Sequence, residues 1–223
     1  MELLFQHLEQ ILAALRGENE LTKKIEECAK VILLESILHL GSTTYDILEI
    51  EFYLNNGGDH ADPYAHSVQY PKRIKPIQGV IGSWYFHRFT GMKTYTHTRR
   101  GLDLTLGDAA AGIYGGILIR SIRNRSDGVV ISGPSRIVGE LIKQVNDPAL
   151  IETIATRVEQ GSAFQQKYNV FISGQTPDVT TSVFKSARVG LGERNPEYRA
   201  RLYRFFTSAL PKKKTGREGV PLL

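Results

Sequence analysis

The chain has 223 residues, 41% of them hydrophobic, with 21 glycines and 9 prolines spread along it. That size and balance suit a globular protein with ample core and exclude a disordered, collagen-like or low-complexity chain. A net charge of +5 fits an anionic partner such as nucleic acid without requiring one.

The opening stretch, MELLFQHLEQ, has an acid at position 2 and no basic region, so it does not read as a signal peptide. Leu4, Leu8, Ile11, Leu12 and Leu15 recur at helical spacing and predict a helix over 2–16, within an N-terminal helical unit of 1–20. A second helix is expected over 22–37, with Ile25, Cys28, Ala29, Ile32 and Leu33 inward. Cys28 is the one cysteine, so no disulfide framework and no thiolate metal site can form within the chain. The run VILLESIL is broken by Glu35 and is too short to span a bilayer, so no membrane association and a cytoplasmic, bacterial-type intracellular location are expected.

Strand-like alternation begins at Thr44 and leads into EIEFYL at 49–54. Residues 55–80, with Gly57, Gly58, Pro63, Pro71 and Pro76, read as a long functional loop. Strands are expected at 83–89, 102–107 and 115–122, with a loop or short helical turn at DAAAG. Helices follow at 132–145, where Pro134 suits the first turn, and at 148–161. Residues 186–206 are basic, glycine-punctuated and end strand-like, and 211–223 form a basic, flexible tail carrying Lys212, Lys213 and Lys214. With no repeat and no linker, the chain reads as one α+β domain over 1–223, with a curved, mixed, mainly antiparallel sheet flanked by helices.

On a strand, alternate side chains share a face. Leu48, Ile50, Phe52 and Leu54 are therefore expected in the core, and Ile47, Glu49, Glu51 and Tyr53 opposite. Two acids and a tyrosine there make either a solvated face or the floor of a cleft where one carboxylate is a general base. Arg120, in LIRSI, is placed with Gly116, Leu118 and Ile122. An arginine on so apolar a face needs a partner, and Glu51 is the natural one, in catalysis or as a structural ion pair.

EIEFYL, the Ala-His-Ser at 65–67, GSWYFHRFTGM, GILIRSI, SGPSRI and SARVGLG occur in an order and spacing that resemble the alkyladenine (3-methyladenine) DNA glycosylase family, over about residues 27 to 207. The resemblance implies that family's fold and a monofunctional DNA glycosylase. Such an enzyme flips a modified base from double-stranded DNA and hydrolyses its N-glycosidic bond, leaving an abasic site. It implies no metal or other cofactor and no strand cutting. Glu51 matches the water-activating glutamate and Arg120 the arginine that helps hold the water. Tyr53 matches a tyrosine that stacks on the flipped base, and His66 a histidine that contacts it. Arg188 and the glycines of RVGLG match a segment near the sugar and phosphates, and Ser135 and Arg136 open a helix suited to a phosphate contact or to ordinary capping.

The departures from the family cluster in the pocket. His87 and Thr90 stand where the family has a stacking tyrosine and the tyrosine that intercalates into DNA. Arg88, Phe89 or a side chain of another loop would then plug the duplex. The family's pocket asparagine falls on His97 by an ungapped count and on Asp103 by strand context, the preferred reading. A roomier, more polar pocket is expected to take a bulky or polar modified base, such as glucosylated hydroxymethylcytosine in bacteriophage DNA, in an antiviral role. The alternatives are an alkylpurine repair glycosylase acting on 3-methyladenine or hypoxanthine, and a non-catalytic DNA-binding module. Phosphate contacts are expected from Arg88, Arg99, Arg100, Arg136, Lys185 and Arg188, with a monomer sufficient to flip one nucleotide. A metal bound by Asp59, His60, Asp62 and His66 matches no known spacing, and RVGLG lacks the lysine and Ser/Thr of a nucleotide phosphate loop.

Overall fold

A computed structural model of the protein describes residues 2–17, 20–66, 77–93, 95, 99–157, 159–193, 195–211 and 219–222. The first two helices, α1 (Glu2–Leu15) and α2 (Leu21–Leu34), follow the apolar periodicity, and Leu8, Ile11, Ile25, Cys28, Ala29 and Ile32 are buried. Burial pushes the Cys28 thiol pKa up, as befits a small core residue. Helix α2 ends three residues short of the expected point. Ser36 turns its hydroxyl back to the Val31 carbonyl, and the chain leaves as β1 (Ser36–Leu40).

The central strand is β2 (Thr43–Asn55). It pairs antiparallel with β1, with β5 (Tyr114–Asn124) and with β9 (Arg204–Thr207). Beyond β5 lie β4 (Gly101–Thr105) and then β3 (Trp84–His87), while β6 (Val130–Ser132) pairs beside β5. Beyond β9 lie β8 (Val183–Ser186) and β10 (Val220–Pro221), and β7 (Val170–Gly174) pairs with β1. Every pairing among the described residues is antiparallel, so the expected mixed sheet is corrected to an antiparallel one. Part of the expected flexible tail is a strand, because Val220 and Pro221 pair with Lys185 and Phe184; residues 212–218, with the three lysines, lie outside the described residues.

Helices α3 (Pro134–Val145) and α4 (Pro148–Thr156) begin at prolines, whose missing N–H costs nothing in a first turn. Asp147 caps α4 by accepting from the Ala149 and Leu150 N–H groups at 3.0 and 3.1 Å. DAAAG forms a short 3-10 turn capped by Asp108, and α5 (Pro196–Ala200) lies within the basic segment before β9.

The core lies between α1 to α4 and one face of the sheet. Its sheet side comes from Ile47, Ile50, Phe52 and Leu54 on β2, Ile117, Ile119 and Ile122 on β5, and Trp84 and Phe86 on β3. Two expectations change here. The β2–β5 register slips between Ile47 and Ile50, so Leu48 on β2 and Arg120 on β5 have no Cα partner across the pair. The paired bulge reverses the alternation. Ile47 joins the core, Leu48 packs instead with Phe206 and Leu210, and Ile122 lies in the core rather than beside Arg120.

Candidate active site

On the sheet face away from the helices, Glu51 on β2 is opposite Leu118 on β5, which is opposite Asp103 on β4, which is opposite Tyr85 on β3. Antiparallel neighbours sit about 4.8 Å apart, so the row places Glu51 and Asp103 roughly 10 Å apart at the backbone. Leu118, Tyr53 and Ala65 form an apolar floor between two polar groups, with Tyr64 and Leu191 packed against it.

The first polar group centres on Glu51, which is 0% exposed. Its Oε2 accepts from the Tyr53 hydroxyl at 2.6 Å and from Arg120 Nη1 at 3.1 Å, and its Oε1 accepts from the Val189 N–H at 2.9 Å. Arg120 also donates from Nε to Glu49 Oε1 at 3.2 Å, so the expected Glu51 pair is a fork across two carboxylates. Arg120 sits at the bulge without a Cα partner on β2, and its carbonyl accepts from the Gly133 N–H at 2.7 Å, one step beyond the β5–β6 pairing. Burial opposes the arginine's charge, but Glu51 and Glu49 outweigh it and raise its pKa. Burial raises the Tyr53 hydroxyl pKa well above its usual value, helped by Glu51 and opposed by Arg188 and Arg120, so Tyr53 is a donor to the carboxylate. Glu49 accepts further from Arg204 Nε at 2.7 Å and from the Ser121 hydroxyl at 2.5 Å.

The second polar group centres on Asp103, also 0% exposed. Its Oδ2 accepts from Gln78 Nε2 at 2.8 Å and is in contact with His87 Nε2. Gly116 makes this possible, because a Cβ there would stand 2.6 Å from the Gln78 amide nitrogen and 3.0 Å from Asp103 Oδ2. His66 Nδ1 lies 2.7 Å from the Tyr85 hydroxyl, and its ring is tilted against His87 with centroids 4.7 Å apart. Burial pushes the His66 pKa down to about 4, helped by the nearby His87 and Arg88 and opposed by Asp103. The two groups are alike in access: the Arg120 and His87 side chains are 18% and 20% exposed, whereas both carboxylates are closed.

The structure brings Glu51, Arg120, Tyr53, His66, His87 and Asp103 together on one face. Glu49 was expected on this face but without a role, and Gln78, Tyr85, Ser121 and Arg204 were missed as members. Tyr85 shares its face with His87 two residues on, a parity that the aromatic strand already displays. Nothing local marks Gln78 or Arg204. His97 lies outside the described residues.

The expected phosphate contacts divide. Arg188 is corrected: it is 0% exposed and donates to the Phe52 carbonyl at 3.1 Å, to Asp62 Oδ2 at 2.5 Å and to the Tyr198 carbonyl at 2.7 Å. Its guanidinium lies 4.6 Å from the centre of the Tyr53 ring and so covers part of that ring. Lys185 is paired with Glu26 at 2.5 Å. Arg100 donates to the Tyr95 and Ser135 carbonyls at 3.1 and 3.4 Å, and the Ser135 hydroxyl returns a bond to the Arg100 carbonyl at 3.2 Å. This tie brings the start of α3 against the end of the β3–β4 hairpin. Arg88, Thr90, Arg99 and Arg136 are exposed around it, with Arg88 in the left-handed region at φ 60°. The loop histidine and acids do not converge, since His60 is held by Arg201 and Asp62 by Arg188.

The fold and this face define an α+β protein built on one antiparallel sheet, with a buried carboxylate–arginine centre opposite its helices. No protein-family model matches the chain. It is 30% identical over 202 residues to uncharacterized protein L759 of Acanthamoeba polyphaga mimivirus, spanning 85% of this chain and 89% of the relative. The chain belongs to the same family as that viral protein. Among the described residues no helix is long and apolar enough to cross a membrane.

Proposed function

We propose that this protein is a monofunctional DNA glycosylase that removes a modified base. The observation that carries the reading is the Glu51 carboxylate, buried and fixed by three donors from Tyr53, Arg120 and the Val189 backbone. A carboxylate so held is suited to orient a water and to stabilise the positive charge that grows on the sugar when a glycosidic bond breaks. In the proposed reaction a flipped nucleotide enters the face between the two polar groups. Water adds to the anomeric carbon, the carbon–nitrogen bond breaks, and its electron pair leaves with the base. The products are an abasic sugar and a free base, with the strand intact and no cofactor consumed.

The motif resemblance supports this reading, and so does the exposed trio of Arg88, Arg99 and Arg136, which can meet phosphates of double-stranded DNA. His87 and Asp103, where the resembled family has an aromatic ring and an amide, favour a bulky or polar base such as glucosylated hydroxymethylcytosine. An antiviral role would follow for a monomeric intracellular enzyme. The test is release of base and formation of abasic sites on bacteriophage DNA carrying that base and, in parallel, on DNA carrying alkylated purines. The wild-type chain is expected to act on the phage DNA, and Glu51→Gln to lose about 10²- to 10⁴-fold in rate with its melting behaviour retained. Release from alkylated DNA alone would make it a repair enzyme. Glu51→Gln equal to wild type would leave a DNA-binding module.

A further inference from the structure

Outside the Glu51 cluster, the Asp103–His87 pair is a buried charge that the reaction above does not use, and unlike the sealed Arg188–Asp62 pair it has a partly open member. Asp103 offers Oδ2 to Gln78 and His87. Its Oδ1 is buried with no hydrogen-bond partner among the described residues. His87 and Gln78 therefore supply the compensation that this carboxylate has. The contact uses His87 Nε2, which leaves Nδ1 on a ring that keeps 20% of its side-chain surface open. The charged and titratable groups around that ring are Asp103 from β4, His66 from the segment after β2, Tyr85 from β3 and the neighbouring Arg88. His66 and Tyr85 are engaged with each other.

We infer that His87, oriented by Asp103, protonates the departing base, and that the natural substrate is accordingly a neutral nucleobase. The inference rests on the glycosylase reading above and deepens it. A neutral base leaves as an anion unless it gains a proton, whereas a base already cationic through alkylation needs none and is repelled by an imidazolium. In the step, the C1′–N bond breaks and its electron pair goes to the base. The His87 Nδ1 proton passes to a ring nitrogen or carbonyl oxygen of that base, which departs neutral. Water forms the new C1′–O bond and gives its proton to Glu51. Solvent then reprotonates His87 and deprotonates Glu51, so the net reaction consumes one water. Glu51 and Asp103, the carboxylate that His87 contacts, stand on either side of Leu118 in one row across the sheet, so a base for the water and an acid for the leaving group come from opposite sides of the floor. Asp103 is a positioning residue in this scheme.

The experiment is single-turnover base release by the full chain from two duplexes. One carries glucosylated hydroxymethylcytosine, a neutral base; the other carries 7-methylguanine, a cationic one. His87→Gln keeps an amide to face Asp103 but has no proton to transfer. It is expected to slow release of the neutral base about 10²-fold or more. It should also abolish the alkaline fall of the wild-type pH–rate profile and change duplex affinity little. Asp103→Asn is expected to shift that alkaline limb, a readout that holds even if His87→Gln folds poorly. An unchanged rate and profile in both variants, or an equal loss on both duplexes, overturns the acid role while a dead Glu51→Gln leaves the glycosylase reading standing. Wild-type release of 7-methylguanine alone overturns the substrate class. No release by wild type from either duplex overturns both readings together.

Discussion

Arg188 is the residue whose placement departs furthest from its expected role. Its sequence context, RVGLG, reads as a flexible segment close to phosphates, yet its guanidinium is sealed under Tyr53 and Asp62. The deciding partner lies 126 positions away along the chain, a separation that no local pattern encodes. Glu51 and Arg120 were legible for the opposite reason: a charge on an otherwise apolar strand face demands a partner, and each satisfies the other's demand. Replacing Arg188 with Met is expected to strand the buried Asp62 charge and cost about 3–5 kcal/mol, read by urea unfolding. Lys should rescue only part of that loss, because an ammonium cannot reproduce a fork that spans two carbonyls and a carboxylate. Gly116→Ala should expel the Gln78 amide from Asp103, lowering the proposed base release at little cost to DNA affinity.

At the scale of elements, helices were easier to read than strands. The periodicity of α1 to α4 survives in the structure because each helix buries one stripe. Strand β1 was hidden because VILLESIL continues an apolar run across the helix end, and β7 and β8 because segments of four or five residues carry too few alternations to signal themselves. The bulges at Leu48 and Arg120 break the period-two rule in the very strands that carry the acids. Cap chemistry was local, and its prediction is correspondingly local. Asp147→Ala is expected to cost about 0.5–2 kcal/mol by leaving the Ala149 and Leu150 N–H groups uncapped, measurable as a lower unfolding midpoint with an unchanged slope.

For the whole molecule, acidity and salt act in different places. Burial lowers the His60 pKa to about 4, with the charges of Arg201 and Arg188 adding to it, and His66 is lowered to about 4 by burial and by His87. Both fall from an ordinary value of 6.5, so in that window the unfolded chain binds more protons than the folded one. Stability should be fully present above about pH 6.5 and decline as pH falls toward 4, and His60→Gln should flatten that decline in unfolding measured across the range. Salt should leave the buried pairs alone and weaken the proposed DNA binding steeply. Replacing Arg88, Arg99 and Arg136 together by Gln is expected to reduce the log–log salt slope by about 2 to 3 units. The three-sided grip on β2 has one more consequence. Strand β5 brings Arg120 to both acids, but β9, which brings Arg204 to Glu49, comes later in the chain and so leaves the ribosome after it. Until β9 emerges the two acids share Arg120 alone and Glu49 lacks its second cation, so a nascent chain cannot complete this centre. The complete centre therefore waits for β9 to be synthesised.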